Sequence, residues 1–116
     1  MRLLMFAAAA ALLATPSLAA DGSAIYASQC KSCHGDAGKG GPAGPALKGV
    51  YGRKIAAAPG FAYSAGLKAK GGTWNDANLD AFLTSPGGFA AGSKMFSRVA
   101  APADRAALIA YLKTLK

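Results

Sequence analysis

The chain has 116 residues and a formal net charge of +8, from 13 Lys and Arg against 5 acidic residues, all of them Asp. With two cysteines and one histidine, it has room for one compact domain and little more. These numbers exclude a multidomain enzyme and a disulfide-dense scaffold.

The first element is a leader. Arg2 precedes the apolar run 3–14, and Thr15-Pro16-Ser17-Leu18-Ala19-Ala20 follows. A charged start, an apolar middle and a small-residue exit read as a secretory signal peptide over residues 1–20. The apolar run is too short to span a bilayer. Cleavage after Ala19 or Ala20 leaves a mature domain of residues 21–116, with 12 Lys and Arg against 5 Asp. Its charge alone permits nucleic-acid binding, but export argues against it.

Asp21 or Ser23 is placed to cap a first helix. Ile25, Tyr26, Gln29, Cys30 and Cys33 recur at helical spacing and form its inner face. That helix runs into Cys30-Lys31-Ser32-Cys33-His34, which holds every Cys and His of the chain. A disulfide across so short a loop constrains the unfolded chain little and gives His34 no role. A thioredoxin-like pair needs a neighbouring strand, and no strand pattern surrounds the motif. Structural zinc needs four ligands, and the cluster offers three. Cys-x-x-Cys-His is the attachment motif of c-type haem. Two thiols one helical turn apart reach one porphyrin edge, and the next residue brings an imidazole to the iron. One copy of the motif predicts one haem.

Residues 35–49 are rich in Gly and Pro and read as a loop wrapped on the cofactor. The carbonyl of Pro45 is placed to accept the His34 ring N–H and orient the imidazole. Thr73-Trp74-Asn75-Asp76 opens a second helix with a Thr-x-x-Asp capping pattern. Leu79, Phe82 and Leu83 form its apolar face, and Pro86-Gly87-Gly88 ends it. A Gly-rich, non-helical segment then leads to Met95, the only Met of the mature domain. A lone Met is most often core filler. Met95, however, lies 61 residues beyond His34 at the end of a loop, which suits delivery of a second axial ligand. Lys94 is a weaker rival, since its ammonium must first lose a proton. Thioether ligation raises the reduction potential of the iron. Pro102-Ala103-Asp104 opens the last helix, whose stripe is Leu108, Tyr111, Leu112 and Leu115.

Beyond its motif, the chain resembles class I cytochrome c in its short bacterial form. The resemblance covers residues 21–116. It rests on Cys30–His34, the loop segment Gly44–Lys54, Pro59-Gly60-Phe61-Ala62-Tyr63-Ser64, Thr73-Trp74, Gly92-Ser93-Lys94-Met95, and Asp104-Arg105 with Leu108–Lys113. It implies thioether bonds from Cys30 and Cys33 and axial ligation by His34 and Met95. It also implies that Arg53, Tyr63 and Trp74 reach the haem propionates, and that Gly22 lets the terminal helices approach with Tyr26 between them. Three positions depart from the family pattern. Phe82 stands where a Tyr often reaches the Met sulfur. Leu67 stands where an Asn often holds a water. The segment after Met95 is one residue short, leaving Phe96 as a candidate cover for the haem.

The sequence thus predicts an all-α domain of the cytochrome c type, with three main helices and Gly/Pro-rich loops around one covalent haem c. The expected activity is transfer of single electrons in the periplasm by a monomer without a membrane span. Lys31, Lys39, Lys48, Lys68, Lys70, Lys94 and Arg98 form a basic surface suited to an acidic-faced redox partner. A cytochrome bc complex, an oxidase, a reaction centre or a periplasmic dehydrogenase would fit. The alternative is a haem c peroxidase or gas-binding protein with a labile sixth ligand.

Overall fold

A computed structural model describes residues 21–116, so the leader over residues 1–20 lies outside the described residues. The elements are α1 (Gly22–Gln29), α2 (Lys31–His34), a 3-10 turn (Asp36–Gly38), α3 (Ala65–Lys68), α4 (Asp76–Thr84), α5 (Pro86–Phe89) and α6 (Pro102–Thr114). The described residues hold no strand, only an isolated antiparallel bridge between Lys54 and Thr73.

Asp21 caps α1 by accepting from the Ser23 N–H. The chain stays helical in character through Cys30, whose N–H donates to the Tyr26 carbonyl at 2.8 Å and whose carbonyl accepts from His34 at 2.9 Å. Tyr26 is 2% exposed, and its ring lies 5.3 Å from that of Tyr111 on α6. Gly22 is required where α1 meets α6, because a Cβ there would lie 2.2 Å from the Ala107 carbonyl oxygen. The expected contact of the terminal helices is therefore present.

α6 buries Leu108, Ile109, Leu112 and Arg105, so an arginine shares the apolar stripe. Arg105 pairs with Asp80 of α4 at 2.7 Å, and Lys113 pairs with Asp76 at 3.0 Å. The core adds Val50, Ile55, Trp74, Leu79, Leu83 and Val99.

Three local expectations are corrected. The capping box of α4 uses Asn75 and Asn78 rather than Thr73 and Asp76. Asn75 is extended, so its side chain reaches the Asn78 N–H at 2.9 Å, while Thr73 is held by the bridge to Lys54. Pro86-Gly87-Gly88 does follow the end of α4, but it also starts α5. Pro needs no amide donor in a first helical turn, and the Ser85 hydroxyl accepts from the Gly88 N–H. The approach to Met95 is thus helical over Pro86–Phe89 and becomes irregular only afterwards. α3, opened by the Ser64 side chain as its cap, is too short to announce itself by periodicity.

Candidate functional site

The loops and helices enclose one large cavity of about 410 Å³, within the roughly 300–1,000 Å³ range of cofactor pockets. Cys30, Cys33, His34 and Met95 all line it, as do Pro45, Arg53, Tyr63 and Trp74. All eight residues singled out in the sequence therefore converge on one space.

His34 ends α2, half-buried, with Nδ1 2.8 Å from the Pro45 carbonyl oxygen. That contact assigns the ring proton to Nδ1 and leaves Nε2 with its lone pair. Gly44 makes the contact possible, since a Cβ there would lie 2.9 Å from the same Nδ1. Burial lowers the His34 pKa below its ordinary value, and the Pro45 carbonyl only partly opposes this. A neutral imidazole is what a metal requires.

Cys30 is buried and Cys33 exposed, and no disulfide joins them. Burial, with the nearby Cys33, pushes the Cys30 thiol up to about 11. Met95 is half-buried against the core. The Ser93 hydroxyl clasps its backbone, accepting from the Met95 N–H at 3.2 Å and donating to its carbonyl at 3.3 Å.

Arg53 and Trp74 are brought together by the Lys54–Thr73 bridge. The Trp74 N–H donates to the Arg53 carbonyl at 2.9 Å. The Arg53 Nη atoms donate to the carbonyls of Lys48 and Ala46, but its Nε is buried without a partner. A buried donor left unpaired costs about 1–3 kcal/mol, which suits a site made for an anionic ligand. The Tyr63 hydroxyl oxygen accepts from the Ala58 N–H at 3.1 Å, leaving its proton to donate. Trp74 is buried, with its ring centroid 5.3 Å from Phe82 and 5.8 Å from Phe89.

Leu67 and Phe82 both line the cavity, so the two departures from the family pattern make that wall apolar. Phe96 lines the cavity rim and is 91% exposed. Sequence reasoning missed Phe61, Ser64 and Ser93, which also line the cavity. The sequence signal for Phe61 and Ser64 was their place in the matched segment around Tyr63.

The cavity therefore offers two thiols, one imidazole, one thioether and an orphaned guanidinium donor, a donor set that fits haem c. The comparisons agree. The Cytochrome c family model matches residues 19–116. The chain belongs to the cytochrome c family. It is 50% identical over 92 residues to cytochrome c2 iso-1 of Magnetospirillum molischianum, covering 76% of this chain and 91% of that one. It is 47% identical over 98 residues to a cytochrome c of Tetrahymena pyriformis, covering 84% and 88%. The solved structure of cytochrome cH from Methylobacterium extorquens superimposes with a TM-score of 0.72 at 42% identity, covering 80% of this chain and 94% of that one. As a class I cytochrome c, the protein carries one covalently attached haem c and is an electron carrier rather than an enzyme. No described helix is long and apolar enough to cross a membrane.

Proposed function

We propose that Cys30 and Cys33 form the thioether bonds, that His34 and Met95 are the axial ligands, and that the protein shuttles electrons in the periplasm after removal of residues 1–20. The observation that carries this reading is the locked His34 ring, held by Pro45 in a cavity that Cys30, Cys33 and Met95 also line. When bound, the haem supplies an iron that gains or loses one electron.

The chain's own part is to hold and exclude. Pro45 fixes the imidazole so that little rearrangement accompanies a change of charge at the metal. Ser93 fixes the Met95 backbone. Leu67, Phe82, Leu83 and Leu108 make the cavity lining apolar and favour the less charged site. Arg53 Nε, the Tyr63 hydroxyl and the Trp74 indole serve the propionates, which need donors once they leave water.

The partner is a redox protein with an acidic docking face. Asp36, Asp76 and Asp80 are already occupied by Lys31, Lys113 and Arg105, and Asp21 caps α1. Lys39, Lys48, Lys68, Lys70, Lys94 and Arg98 are exposed and in no ion pair among the described residues. Lys31 is exposed too, although Asp36 holds it at 3.0 Å.

The test is the visible spectrum of the mature holoprotein, oxidised and reduced, with and without carbon monoxide. A low-spin c-type spectrum with a Met-to-iron band and no response to carbon monoxide is expected. A high-spin spectrum or ready carbon monoxide binding overturns the Met95 assignment and favours a peroxidase or gas binder.

A further inference from the structure

We infer that Arg105 is a positioning residue for Met95. The inference rests on Met95 being an iron ligand. After α5 the backbone is irregular until α6, and Met95 sits within that stretch. Phe96, Ser97 and Arg98, which follow it, are all exposed, so no packing holds them down. The next fixed point is Val99, which is 3% exposed. Its N–H donates to the Leu83 carbonyl of α4 at 2.8 Å.

Arg105 supplies the other half of that anchor. Its Nη1 donates to the Val99 carbonyl at 3.0 Å and to the Ala100 carbonyl at 2.8 Å. Its Nε donates to Asp80 Oδ1 at 2.7 Å. The side chain is 11% exposed, so its charge is nearly out of water and these acceptors must compensate it. Two of its three bonds go to the strand of chain four and five residues beyond Met95, rather than to another helix. α6 and α4 thereby grip the far end of the ligand loop at a single charged centre. A lysine cannot reproduce the grip, because one ammonium lacks the planar fork that serves a carboxylate and two carbonyls together.

Lys113 provides the contrast. It also joins α6 to α4, through Asp76 at 3.0 Å, but it reaches no carbonyl of the Met95 loop. If Arg105 only glued the helices together, the two pairs would have equivalent effects on the iron site.

The experiment titrates oxidised holoprotein with imidazole and follows loss of the Met-to-iron absorption band, with thermal unfolding recorded for each variant. Arg105→Lys is expected to bind imidazole ~10-fold more tightly than wild type, as expected when charge-assisted bonds to the loop are lost. Asp80→Asn keeps the carbonyl contacts and loosens the guanidinium, so a smaller increase of ~3-fold is expected. Lys113→Gln is expected to leave imidazole binding unchanged. Equal shifts in Arg105→Lys and Lys113→Gln, or no shift in Arg105→Lys, overturn the inference. Should Arg105→Lys fail to fold, an unchanged Asp80→Asn overturns it alone. A wild-type protein without the Met-to-iron band overturns the Met95 assignment instead.

Discussion

Gly22→Ala probes the contact on which the terminal helices depend. The new Cβ would lie 2.2 Å from the Ala107 carbonyl oxygen, 2.8 Å from its carbon and 2.9 Å from the Tyr111 Cβ. Ordinary contact begins near 3.4 Å, so α1 and α6 must part by about 1.2 Å. Two of the obstructing atoms are backbone and cannot rotate away. Overpacking of this kind costs roughly 1–3 kcal/mol, and a rigid obstacle puts the cost at the upper end. Helix propensity returns about 1 kcal/mol at most. The net loss is about 2 kcal/mol, which lowers the Tm of a domain this size by roughly 8–16 °C. The assay is thermal unfolding of the oxidised holoprotein by far-ultraviolet circular dichroism. Gly87→Ala is the control, since a Cβ there meets nothing within 4 Å. A Gly22→Ala Tm within 2 °C of the control, on the order of the noise of a surface substitution, would refute the steric reasoning.

Removing the haem leaves a cavity of about 410 Å³. Leu67, Phe82, Leu83, Leu108 and Leu112 of its lining then meet water, and at about 1.5–3 kcal/mol for each large apolar side chain fully exposed the loss is comparable with the whole stability of a small domain. The haem-free chain is therefore expected to lose its near-ultraviolet dichroism and cooperative melt; a native-like melt would contradict this. Encounter with an acidic-faced redox protein, followed by stopped flow, is expected to slow by roughly 10–10³-fold between low and high salt. A flat response removes the case for the basic face.

Much of the site was legible because its chemistry is local. Cys30, Cys33 and His34 occupy five consecutive residues, and the Pro45 carbonyl follows within one short loop. Met95 was legible because the mature domain has no other Met. The cap of α4 was not, since Asn75 and Thr73 are both good caps and the choice is made by the distant bridge between Lys54 and Thr73. The role of Arg105 is not legible in the sequence, because its carboxylate lies 25 residues away and its carbonyl partners leave no trace in side-chain pattern.

The unequal burial of the two cysteines bears on how the protein is made. Cys30 is 7% exposed and burial pushes its thiol up to about 11, whereas Cys33 faces solvent. Only the thiolate is strongly nucleophilic, and burial disfavours that form of Cys30 once the chain has folded. A finished fold is therefore a poor substrate for its own maturation: Cys33 is exposed, whereas Cys30 shows little of itself even to the cavity it lines. Covalent attachment is favoured while the chain is still open, before burial quiets the Cys30 thiol.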